Sequence, residues 1–138
     1  MELPQIDLAL LRNQDGEQTI AFDEACKDLG FFKVVNHGIE EDLMQKVLSM
    51  MESFFQLHQD EKRTCNRSLE HVFGFNDAEL TKQKKDSKEI FDIGPPGESQ
   101  KWPGIEEFEE VMRCYYGMCE IVFDSLSWIL SSDVRPFY

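Results

Sequence analysis

The sequence predicts a mixed α/β (α+β) domain, with helices, a few short strands and an incomplete sheet. Three observations lead there. Apolar residues recur at helical spacing in three separate segments of the 138-residue chain. Short β-branched or aromatic runs stand between those segments. Three such strands are too few to close a barrel or form a covered sheet, so open strand edges are expected.

Residues 3–8 (LPQIDL) open the chain as a strand candidate, with Pro4 at its start, where a missing N–H is tolerated. Asn13 to Gly16 is turn-rich and can release a helix from about Glu17. Ile20, Ala21, Ala25, Cys26 and Leu29 give that helix an apolar face, and Gly30 is its natural stop. Residues 31–35 (FFKVV) read as a buried strand, followed by an Asn36-His37-Gly38 turn. Glu40, Glu41 and Asp42 then suit a helix N-terminus, where the macrodipole favours carboxylates. Leu43, Val47, Met50, Met51, Phe54 and Leu57 continue this helix as one stripe, ending near residues 58–62.

Residues 63–83 carry no clear period, and Gly74-Phe75-Asn76 suggests a bend. Residues 89–93 alternate as a strand, with Ile90 and Asp92 on one side and Phe91 and Ile93 on the other. Gly94-Pro95-Pro96-Gly97 ends it. A long helix follows, with one apolar face from Ile105 to Leu130 and Glu106, Glu107, Glu109 and Glu110 at its positive end. Gly117 lies inside it, and a closely crossing helix would explain that choice. Residues 131–138 form an unassigned tail.

Lys plus Arg total 14 and Asp plus Glu total 27, a formal charge of −13. That field argues against nucleic-acid and anionic-membrane partners. No basic start followed by an apolar run marks a signal peptide, and no stretch is apolar enough to span a bilayer. Cys26, Cys65, Cys114 and Cys119 are scattered, which fits reduced thiols in a cytoplasmic protein rather than a disulfide scaffold or a zinc site.

Several segments in fixed order resemble one family. They are Leu3-Pro4-Gln5-Ile6-Asp7-Leu8, then Ala25-Cys26, then Gly30-Phe31-Phe32-Lys33-Val34-Val35-Asn36-His37-Gly38-Ile39. Phe54-Phe55-Gln56-Leu57, Glu61-Lys62, Gly74-Phe75, Asp86 to Gly94 and Trp102-Pro103 complete the order. The chain resembles the N-terminal region of the isopenicillin N synthase-like non-haem iron dioxygenases, most of which use 2-oxoglutarate. The resemblance implies a non-haem dioxygenase N-terminal domain over residues 1–130, flanking a catalytic jelly roll that is absent here. Fe(II) and 2-oxoglutarate are implied for the complete enzyme, with none held in this chain. The partners it implies are the C-terminal jelly roll of the same enzyme and a small organic substrate, which is hydroxylated or desaturated. It also makes Phe91 and Ile93 the candidate substrate-facing residues, with no catalytic or metal-binding residue expected.

In the family the iron ligands are a His-X-Asp pair and a distant His, and an Arg-X-Ser pair binds the cosubstrate. These lie beyond the matched region, so the chain reads as a fragment inactive by itself. His58-Gln59-Asp60 matches the His-X-Asp letters, but on a helix the two side chains diverge by about 200°. A solvated helix terminus is the simpler reading. His37 is expected to lock its turn by bonding neighbouring backbone, and His71 to lie on the surface. The Glu106 to Glu110 cluster reads as a solvated face, Lys82, Lys84, Lys85 and Lys88 as charge balance, and Met50-Met51 with Phe54-Phe55 as packing. Cys114 and Cys119 make a poor metal or redox pair. Two alternatives stay open. One is a non-catalytic domain pairing through open strand edges or an apolar helix face. The other is a short enzyme with iron on His58, Asp60 and a further His.

Overall fold

A computed structural model describes residues 2–78, 80, 81, 84, 85 and 88–131, with residues 80, 81, 84 and 85 as backbone. It divides into two compact units, one of residues 1–39 and 119–138 and the other of residues 40–118.

The first unit begins with β1 (Gln5–Asp7), α1 (Leu8–Arg12), α2 (Gly16–Asp28) and β2 (Lys33–Val35). β1 and β2 are parallel, with Ile6 opposite Val34, so a crossover is required and the two helices supply it. The opening strand stops at Asp7 because that side chain caps a helix that periodicity did not reveal. Its Oδ1 accepts the Leu10 N–H at 3.1 Å, and Oδ2 accepts from Asn36 Nδ2 at 2.5 Å. Asp15 caps α2 by accepting the Gln18 N–H at 2.9 Å. Gly30, at φ 74°, closes that helix as expected, its N–H reaching the Ala25 carbonyl at 2.9 Å. Ile6, Leu8, Leu11, Phe22 and Ala25 form the core, with Phe32 edge-on to Phe22 at 5.2 Å. Val122, Leu126 and Ile129 pack against it from the second half of α5 (Phe108–Ser131).

The second unit holds α3 (Glu41–Gln56), α4 (Gln59–Arg63), β3 (Gly74–Asn76), β4 (Leu80–Thr81), β5 (Lys84–Lys85), β6 (Ile90–Asp92) and the first half of α5. Described strands therefore number six, in three two-stranded pairs, rather than three. Residues 74–76 form a strand and not a bend, because β6 pairs with them antiparallel, Phe75 opposite Phe91. Gly74 is required there. At φ 127° a Cβ would stand 2.4 Å from the Cys65 carbonyl oxygen, and the Phe75 N–H donates to that same oxygen. α3 ends at Gln56 because Leu57 and His58 are both extended, with ψ 154° and 149°.

The last helix starts later than expected. Glu107 has φ 59°, so residues 105–107 stay outside the helix and only Glu109 and Glu110 occupy its first turn. Among the described residues nothing lies within 4 Å of a Cβ built on Gly117, so none of them forms the closely crossing helix expected there. The tail residues 132–138 lie outside the described residues.

Candidate functional site

The site region is the β3–β6 ribbon, its underlying aromatic cluster and α4. Phe54, Phe75 and Phe108 are wholly buried, with Phe91 nearly so. The Phe91 ring lies 4.8 Å from Phe54, 5.6 Å from Phe108 and 6.0 Å from Trp102. Ile93 packs on the same cluster, with Met50, Met51 and Phe55, so the Met and Phe runs of α3 are packing residues. Ile90 and Asp92, on the other side of the strand, are half-buried. The Arg67 guanidinium reaches Asp92 at 2.8 Å.

Strand periodicity thus sorts β6 into the two sides expected. What it could not show is the polar cluster beside the aromatic one. Lys62, only 5% exposed, donates to Glu89 Oε2 at 2.8 Å and to the Phe55 carbonyl at 3.3 Å. Its ammonium also stands 5.7 Å from the Phe75 ring centre. Asp77, also buried, accepts from Arg63 at 2.8 Å and Gln59 at 2.9 Å. The Lys62 hydrogen bond holds the Glu89 carboxyl below its ordinary range, and Asp77 holds the Arg63 guanidinium above its own. The available signal was Gln59, Lys62 and Arg63 at i, i+3 and i+4, which places three donors on one helix face.

A cavity of about 390 Å³ opens beside Trp102, Pro103, Ile105 and Phe108, with Glu107, Glu109 and Glu110 at its wall. Arg113 stacks on the Trp102 ring at 5.1 Å and bonds Glu109 at 2.8 Å, so the acidic run is partly neutralised by its own helix. The Trp102 indole N–H is buried without an acceptor among the described residues.

The three histidines have separate local roles. His37 Nδ1 accepts the Ile39 N–H at 3.0 Å, the turn lock expected of it. His58 caps α4, accepting the Asp60 N–H while the Glu61 side chain reaches back to the His58 N–H, a capping box. Its ring is 75% exposed. His71 is half-buried at the surface, with Nδ1 2.8 Å from Ser99 Oγ. Among the described residues, no three His, Cys, Asp or Glu side chains converge as a metal would need. The described residues therefore do not fit iron, and His58 with Asp60 serves a helix start. Cys65, Cys114 and Cys119 are free thiols. Of the lysine patch, Lys82 and the side chains of Lys84 and Lys85 lie outside the described residues, and Lys88 is exposed.

A family model described as "non-haem dioxygenase in morphine synthesis N-terminal" matches residues 3–111. The chain belongs to that family. S-norcoclaurine synthase 1 from Coptis japonica is 32% identical over 124 residues, covering 83% of this chain and 35% of the relative. A homoarginine-6-hydroxylase from Arabidopsis thaliana is 33% identical, covering 70% and 32% respectively. A full-length Neurospora crassa protein, solved with alpha-KG and 5-formyluracil, superposes at TM-score 0.73 and 21% identity. That match covers 95% of this chain and 45% of the other, and it confirms the expected fold. The chain thus spans about a third of the length of these curated relatives. No described helix is long and apolar enough to cross a membrane.

Proposed function

We propose that this chain acts as the N-terminal part of a non-haem iron, 2-oxoglutarate-dependent dioxygenase, one that hydroxylates or desaturates a small organic substrate. The family match across residues 3–111 carries the reading. Iron and 2-oxoglutarate, which together activate dioxygen, are assigned to a C-terminal jelly roll of the same enzyme. This part spans residues 1–130, flanks that jelly roll and is inactive by itself in the cytoplasm. Exposed Ile121 and Trp128, seven residues apart on one side of α5, support a packing partner, since large apolar side chains rarely share an exposed face in water without one. Its share of the chemistry is to exclude water and shape the substrate's surroundings. β6 is assigned to that border, with Phe91 and Ile93 as the substrate-side residues.

The test joins the chain to its downstream coding sequence and follows succinate formation from 2-oxoglutarate with ferrous iron. The expected continuation is strand-rich, with His-X-Asp, a distal His and Arg-X-Ser, and it turns over. A stop codon without such a continuation contradicts the reading. The same α5 residues favour a second reading, a non-catalytic interaction domain pairing through this helix face. Light scattering separates the two, because a dilute monomer counts against self-pairing.

A further inference from the structure

Residues 67–73, between α4 and β3, form a loop closed at its base. The Arg67 N–H donates to the Phe75 carbonyl at 3.0 Å, and the Phe75 N–H donates to the Cys65 carbonyl at 2.9 Å. At the tip the Ser68 N–H donates to the His71 carbonyl at 2.7 Å, and the His71 N–H donates to Ser68 Oγ at 3.1 Å. Leu69 and Glu70 are thereby held out as a two-residue point. Leu69 is 103% exposed, as open as in an extended peptide, and Val72 is 55% exposed. The loop is also moored along residues 92–100. Arg67 pairs with Asp92 at 2.8 Å, His71 Nδ1 lies 2.8 Å from Ser99 Oγ, and Phe73 bridges Gln100. Gln100 is fixed in turn, donating to the Asp92 carbonyl at 2.9 Å and accepting the Gly94 N–H at 3.0 Å.

One exposed leucine is ordinary on a protein surface. A leucine held at the point of a moored loop is less so, because its order is in place before any partner arrives, which lowers the entropic cost of docking. Size and charge decide what takes it. Separate chains that associate stably bury about 1,200–2,000 Å², and one leucine with one valine falls far short of that. A formal charge of −13 also opposes a second copy. A body tethered in the same polypeptide needs much less contact, since tethering raises its effective concentration to roughly millimolar. This chain covers 35% and 32% of two curated relatives, which leaves most of each outside it. We infer that Leu69 is a preformed docking knob for an apolar socket on the jelly roll of the same polypeptide. The rim of that socket carries a cation or N–H donor for the exposed Glu70. The inference rests on the dioxygenase reading above, which supplies the jelly roll.

The test is hydrogen exchange followed by mass spectrometry over residues 66–75, in the 138-residue chain and in the chain extended by its downstream coding sequence. Extension should slow exchange at residues 69–72 about tenfold, the factor expected for burying one leucine side chain. Leu69→Ser should remove that protection, and Leu69→Met, apolar and of similar volume, should keep most of it. Both variants of the 138-residue chain should melt with the parent. Equal exchange in the two chains overturns the proposal, as does protection that survives Leu69→Ser. A lower melting temperature for Leu69→Ser in the 138-residue chain also overturns it, because the leucine would then belong to the unit's own packing. So does a fall in mass by light scattering when that short chain carries Leu69→Ser, which would put a second copy on the knob. The dioxygenase reading fails differently. The extended chain then has no His-X-Asp and forms no succinate, whatever residue stands at position 69, and the knob falls with it.

Discussion

Two of the three described strand pairs are held in different ways. β1 and β2, in the first unit, are joined by capped helices, and the half-exposed Asp7 bonds the exposed Leu10 and Asn36. β3 and β6, in the second unit, lie on a cluster of aromatic rings, with two buried charged residues at one end. Backbone capping secures the first pair, while ring packing and ion pairing secure the second. Removing one polar partner is therefore expected to cost less in the first pair than in the second.

The sharpest way to break the second unit is Phe54→Ala. Phe54 touches the rings of Phe55, Phe75, Phe91 and Phe108, and it is wholly buried. A loss of about 3–5 kcal/mol is expected in urea denaturation, with hydrogen-exchange protection lost first at Phe75 and Phe91. Preserved protection there would contradict the ring cluster as the unit's anchor. Gly74→Ala comes next. Its backbone conformation alone costs about 1–3 kcal/mol for a residue with a Cβ, and the clash with the Cys65 carbonyl adds to it. In the first unit the expected effects are smaller. Asp15→Ala removes the α2 cap and should cost about 1 kcal/mol, read in the same denaturation series. Back in the second unit, Gly117→Ala should stabilise by up to about 1 kcal/mol, since no described residue lies within 4 Å of the added Cβ. A destabilised variant would reveal a neighbour there after all.

Acid sharpens the comparison further. Asp7 is held below its ordinary value of 3.8, chiefly by the Leu10 N–H and then by Asn36. Glu89 is held below 4.5, chiefly by Lys62. Both groups titrate lower folded than unfolded, so the unfolded chain binds more protons as pH falls. Their stabilisation is complete above the ordinary values and is lost as pH drops through the lower folded ones. Asp7→Asn and Glu89→Gln should each flatten the stability–pH curve below about pH 4, measured by denaturation at stepped pH. An unchanged slope would remove that carboxylate from the account.

The sequence showed long-range order where residues repeat or punctuate. The α3 stripe, Gly30 as a stop, the His37 lock and the two sides of β6 all follow from local rules. α1 and α4 escaped notice because each has five residues, too few for a period, and a single cap defines each start. β3 looked like a bend because Gly74 usually breaks structure, whereas here it admits the Cys65 carbonyl. The Lys62 cluster was invisible for a different reason. Asp77 and Glu89 meet α4 only through tertiary folding, and charged residues are rarely buried. The family resemblance supplied what local physics could not, because it rests on the order of many segments.

The most direct test of the whole account is anaerobic titration of the purified 138-residue chain with ferrous iron. A flanking part of a dioxygenase should show no saturable site near one equivalent, and no 2-oxoglutarate-dependent oxygen uptake once air is admitted. Stoichiometric binding, abolished by His58→Ala and accompanied by turnover, would contradict it.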